Sequence, residues 1–142
     1  MIKLIDDDKR VWLEALDTYP KTERYLAEMN TYTYLYSYCC LGVAGSVLLN
    51  LSDYDLEKES DYITTIDKSL ITKKAFKSTY SLLKEVLIQD VTEDDEMLAY
   101  VNEYYLSTGF EDFMGTIETF LIYVNDRTNT FEEVKDFITK YL

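Results

Sequence analysis

The chain has 142 residues, 47% of them hydrophobic, with 27 acidic residues against 14 basic ones and a net charge of −13. That size and apolar content predict one globular domain over residues 1–142, and four glycines and one proline argue against a disordered or collagen-like chain. The charge repels nucleic acid and anionic membrane, so neither is an expected direct partner. Histidine is absent, which removes the commonest general base and metal ligand.

The start, "MIKLIDDDKR", lacks the basic start and long apolar segment of a signal peptide. The longest apolar run, residues 41–51, is broken by Gly, Ser and Asn and falls short of the ~18 residues of a membrane span. A cytoplasmic location is expected. "DDDKRVWLEALDT" predicts a first helix, with Val11, Trp12, Ala15 and Leu16 on one face and Asp6, Asp7 and Asp8 at its positive end. Pro20 is placed to open a second helix, "KTERYLAEMN", ending at Asn30.

"TYTYLYSY", residues 31–38, then predicts a strand. Its alternation puts Tyr32, Tyr34, Tyr36 and Tyr38 on one face. A lone strand needs a partner, and the β-branched stretch at residues 61–66 is the candidate. Residues 39–51 read as a buried helix in which Gly42 and Gly45 allow close packing.

The second half is helical in pattern. "SLITKKAFKSTYSLLKEVLIQ" aligns Ala75, Phe76, Thr79, Leu83, Val86 and Leu87. "TEDDEMLAYVNEYYLSTG" offers Thr92 as a cap and Gly109 as a stop. "FEDFMGTIETFLIYV" carries Phe110, Phe113, Met114, Ile117, Phe120, Leu121 and Val124 at helical spacing. After the turn "NDRTN", Thr130 and Glu133 predict a capping box for a last helix burying Phe131, Val134, Phe137, Ile138 and Tyr141. The expected fold is mostly α (α+β): a bundle of about six helices with one small β element around residues 31–38 and 61–66.

Catalytic equipment is sparse. No Gly-rich phosphate loop exists. An EF-hand loop from Asp90 would need glycine where Asp95 stands and glutamate where Val101 stands. The acidic run therefore reads as a charged helix start, with Asp94, Asp95 and Glu96 as candidate contacts for a basic partner. Cys39 and Cys40 are neighbours, which makes a strained disulfide, and no histidine is present to activate either thiol, so they read as buried structural residues. No catalytic residue, metal or cofactor is assigned, and the chain is not expected to be an enzyme. "VNDRTNTFEEV" has two readings: a helical corner in which Asn125 and Asp126 satisfy backbone groups, or a contact loop of Asn125, Asp126 and Arg127.

Three motifs occur in order: "VWLEAL", "YCCLGV" and "YVNDRTNTFEEVKDFI". Together they resemble a widespread, largely uncharacterised group of small phage and bacterial proteins, marked by a Cys-Cys-Leu-Gly-Val motif and a C-terminal Asn-Asp…Thr-Phe-x-Glu-Val motif. Trp12, Cys39, Cys40, Leu41, Gly42, Asn125, Asp126, Thr130, Phe131, Glu133 and Val134 carry the resemblance, and residues 50–119 depart from it. The resemblance implies a phage-type accessory protein. It also suggests a structural reason for the motifs: the Cys-Cys-Leu-Gly helix packing on the terminal helix, with Asn125 and Asp126 tying the turn between.

Three functions are then expected. The first is an anti-defence inhibitor that binds a bacterial defence or host protein, its acidic surface standing in for nucleic acid on a basic face. The second is a sponge for nucleotide signals, stacking a base on Tyr32, Tyr34, Tyr36 and Tyr38 with Arg127 or Lys74 at the phosphate. The third is a structural homo-oligomer, with a second copy of the chain as partner.

Overall fold

The computed structural model describes residues 1–61, 82–107 and 115–142. It is mostly helical, with one small antiparallel sheet. In chain order the described elements are α1 (Asp6–Thr18), β1 (Ala27–Met29), β2 (Tyr36–Tyr38), α2 (Cys40–Leu48), α3 (Asp53–Asp61), α4 (Leu82–Leu87), a 3-10 turn (Val91–Glu93), α5 (Asp95–Ser107), α6 (Ile117–Arg127) and α7 (Glu132–Tyr141).

The centre is α2. It is short and almost wholly apolar, and Cys40 to Gly45 are all buried. α1 lies across it with Trp12, Ala15 and Leu16 inward, and the Trp12 indole N–H donates to the Cys40 carbonyl at 3.1 Å. α6 packs on another side through Ile117, Phe120, Leu121 and Val124, and α3 on a third through Leu56. Gly42 sits where a side chain has no room: a Cβ there would lie 1.7 Å from the Leu26 carbonyl oxygen. This close approach is what brings the β1 segment onto the helix. Further along the chain, Leu83, Val86 and Leu87 of α4 and Val134, Phe137 and Ile138 of α7 complete the core, as their spacing predicts. Gln89 closes the N-terminal segment: its amide accepts from the Ile2 N–H at 2.6 Å and donates to the Ile2 carbonyl at 2.8 Å.

The sheet is built differently from the expected one. β2 pairs with β1, Ala27 opposite Tyr38 and Met29 opposite Tyr36. Of residues 61–66, Asp61 ends α3 and the rest lie outside the described residues. The helix expected over residues 21–30 is not formed. Its start is held against the other edge of β2, where Tyr38 N–H donates to the Pro20 carbonyl and Thr22 N–H to the Tyr38 carbonyl, both at 2.8 Å. With those groups on Pro20 and Thr22, the chain bends through residues 23–26, where Arg24 turns at φ 71°, before β1, and Leu26 and Ala27 are buried beside α2. Tertiary pairing overrides a helical pattern here.

Three helix ends also differ. α5 is capped by Asp94, whose carboxylate accepts from Met97 N–H at 2.9 Å, while Thr92 lies in the preceding 3-10 turn. α6 starts at Ile117 behind the extended cap residue Thr116, so no single helix runs through residues 115–117. Phe110, Phe113, Met114 and Gly109 lie outside the described residues, as do Ala75, Phe76 and Thr79. The Thr130–Glu133 capping box is absent: Phe131 is the N-cap, and Glu133 instead accepts from the Tyr104 hydroxyl at 2.8 Å. Among the described residues no helix is long and apolar enough to cross a membrane.

Candidate functional site: a tyrosine hairpin and the groove beside it

β1 and β2 form a hairpin whose tip is residues 30–35. Asn30 organises it. Its side-chain oxygen accepts from Tyr32 N–H at 2.9 Å and Thr33 N–H at 3.1 Å, and its carbonyl accepts from Tyr34 N–H at 2.8 Å. The last tip residue before the chain re-enters the ladder must turn through the left-handed region, and Tyr34 does so at φ 59°. Glycine or asparagine is the usual occupant of such a position.

The four tyrosines therefore do not share one face. Tyr32 and Tyr34 project from the tip, 92% and 74% exposed, with Leu35 beside them at 69%. Tyr36 is half-buried, and Tyr38 is buried. The expected single stacking face is replaced by a gradient from exposed tip to buried root. The reason is that strand geometry begins only at Tyr36; residues 31–33 form a turn.

At the root, Thr18, Tyr19 and Pro20 from the end of α1 come against the hairpin. With Tyr34, Leu35, Tyr36, Tyr38 and Asp53 they line an open groove of about 470 Å³. The Tyr19 and Tyr38 rings are 4.9 Å apart between centroids, and Tyr36 lies 6.4 Å from Tyr38. The Tyr38 hydroxyl donates to Asp53 Oδ1 at 2.5 Å. Burial first, and then this bond to a carboxylate, push the Tyr38 hydroxyl well above its ordinary pKa, so it stays a neutral donor. Asp53 is the one charged residue in the lining.

Asn125 is a buried structural tie rather than a surface contact. It is 1% exposed and lies in the last turn of α6, not in the turn that follows. Its side-chain oxygen caps α2 by accepting from Cys40 N–H at 2.9 Å, and its amide donates to the Thr22 carbonyl at 3.2 Å. Lys21 Nζ reaches the Asn125 carbonyl at 2.7 Å, and Asp126 accepts from Arg24 N–H at 3.2 Å. One residue thus joins the Cys-Cys and Asn-Asp motifs, through α6 rather than through the terminal helix. Both cysteine sulfurs are buried.

Arg127 is exposed and stacks its guanidinium 3.6 Å from the centroid of Tyr123. Asp95 and Glu96 stand exposed in the first turn of α5, beside the capping Asp94. Neither this acidic run nor Arg127 lines the tyrosine groove. Lys74 lies outside the described residues. Thr18, Tyr19, Pro20, Leu35 and Asp53 are the groove residues that sequence reasoning missed. Pro20 next to Tyr19 was a visible signal, but Asp53 is brought in only by the packing of α3. Among the described residues no cluster of three or more Cys, Asp or Glu side chains is placed to hold a metal. Set against known protein families, curated proteins and solved structures, the chain matches none.

Proposed function

We propose that the protein acts by docking on another protein, with the hairpin tip as its apolar anchor and its acidic surface steering it to a basic face. Within that reading, the role is the one the motif resemblance implies: an accessory protein in a bacterial host cytoplasm that inhibits a defence or host protein by occupying its basic surface. The observation that carries the docking reading is the tip itself. Tyr34 accepts a left-handed backbone while presenting a 74% exposed ring, next to exposed Tyr32 and Leu35. Three large apolar side chains kept in solvent at a strained turn cost stability and gain nothing from folding, which is the usual mark of a contact surface. The net charge of −13 supplies long-range attraction to a cationic partner.

The test is capture from a bacterial lysate with the native chain and with a variant carrying Tyr32→Ser, Tyr34→Asn and Leu35→Ser, chosen because asparagine tolerates the left-handed position. A partner held by the native chain, lost by the variant and weakened by salt is the expected result. Capture of no specific partner, or capture indifferent to the tip variant, would overturn the proposal.

A further inference from the structure

The docking reading leaves open what the groove beside the tip receives, and the following inference rests on that reading. We infer that the groove takes an arginine side chain presented by the basic partner. Its lining is aromatic and apolar apart from Thr18 and a single carboxylate, Asp53. Among the described residues Asp53 forms no ion pair, and its one hydrogen bond is to the neutral Tyr38 hydroxyl. A purely apolar occupant would strip water from that carboxylate and leave it only the Tyr38 hydroxyl and the N-terminal end of α3, with no opposite full charge. An anion would meet both the carboxylate and the negative faces of the tyrosine rings. A cation satisfies both features at once, through the carboxylate and through the rings.

Arginine fits better than lysine. Its planar, weakly hydrated guanidinium stacks on tyrosine and still offers in-plane donors to a carboxylate. The molecule already makes this contact within itself, in Arg127 stacked 3.6 Å from the Tyr123 centroid. The groove volume of about 470 Å³ accommodates such a side chain with adjoining backbone. Its edge is formed by Tyr34 and Leu35, so an arginine seated there belongs to the same surface that the tip would touch.

The experiment is titration of the isotopically labelled protein with three peptides, acetyl-Gly-Arg-Gly-amide and its lysine and citrulline counterparts, followed by amide chemical shifts. Citrulline keeps the shape of arginine and removes the charge. Shifts at Thr18, Tyr19, Tyr36, Tyr38 and Asp53 are expected with the arginine peptide, weaker with lysine and lost with citrulline. Asp53→Asn should weaken the arginine response about fivefold, since a charge-assisted bond becomes a neutral one. The asparagine oxygen still accepts from Tyr38, and the peptide series needs no variant at all. Equal responses to arginine and citrulline, shifts centred on residues 94–96 instead, or an unchanged response in Asp53→Asn would overturn the inference. No arginine response alongside a partner lost by the tip variant would sink the groove assignment alone. An arginine response with no tip-dependent partner would sink the docking reading alone.

Discussion

Three residues carry the strongest local constraints. Tyr34 holds φ 59°, a conformation that costs a side-chain-bearing residue about 1–2 kcal/mol. Tyr34→Gly should therefore raise the unfolding free energy in urea by about 1 kcal/mol, after the extra freedom of glycine in the unfolded chain is deducted. The same substitution should weaken partner capture, so stability and binding move in opposite directions. Gly42 is the reverse case. The atom that an added Cβ would strike at 1.7 Å is the Leu26 backbone oxygen, which cannot swing aside as a flexible side chain would. Gly42→Ala should cost about 3 kcal/mol or more, read as a loss of the urea midpoint or failure to fold. Asn125→Ala leaves the Cys40 N–H and the Thr22 carbonyl without their partner, and should cost about 2–3 kcal/mol in the same measurement.

At the scale of elements, legibility followed periodicity. α1 matches its predicted span and the buried face of α7 is the one its apolar spacing indicates, because each pattern agrees with the packing around it, while α2, too apolar for its spacing to mark a face, is buried as its composition indicates. β1 was not legible. Its three residues, Ala27, Glu28 and Met29, are good helix formers, and the antiparallel pairing with β2, a contact distant in the local pattern, makes the segment extended. The tyrosine alternation was misleading for a related reason: it runs through a turn at residues 31–33, where alternation has no structural meaning.

α5 is tied to α7 by tyrosine hydroxyls, and this has a pH signature. Tyr100 donates to Asp136 at 3.0 Å and Tyr104 to Glu133 at 2.8 Å. Burial, then the carboxylate bonds, raise both pKa values well above the ordinary 10.0; burial, with nearby Tyr123, pushes Tyr105 up to about 12. A pKa raised by folding means that the neutral, protonated form is the one the fold favours. The associated stability is full below about pH 10 and is lost as pH rises through the folded values. Urea midpoints should hold up to about pH 10 and fall steadily to pH 12 and above. Tyrosinate absorbance should show Tyr100, Tyr104 and Tyr105 ionising only above the ordinary tyrosine range. A midpoint that rises across this window would contradict the sign.

For the molecule as a whole, the proposed basic partner rests on composition and charge, which say nothing of the place of contact. A net charge of −13 acts over distances set by salt, so partner association should slow strongly between low and physiological ionic strength while dissociation changes less. Stopped-flow mixing with the captured partner would check this, and an association rate indifferent to salt would remove electrostatic steering. The groove could not be read along the chain, because its residues come from the end of α1, the hairpin and the start of α3 and meet only after those elements pack on α2. The Cys-Cys and Asn-Asp motifs were visible as residues, but their joint purpose lay in one hydrogen bond across 85 positions of sequence.

The indole of Trp12 gives the protein a built-in optical gauge. It is the one tryptophan in the chain, fully buried, and bonded to the first residue of α2. Its emission should be blue-shifted and constant whenever the α1–α2 joint is intact, and should move to the red only when that joint opens. The exposed tip tyrosines, Tyr32 and Tyr34, report on the hairpin instead. A change in tyrosine signal with unchanged indole colour would mark an encounter with a partner, and a change in both would mark unfolding, in the unlabelled native chain.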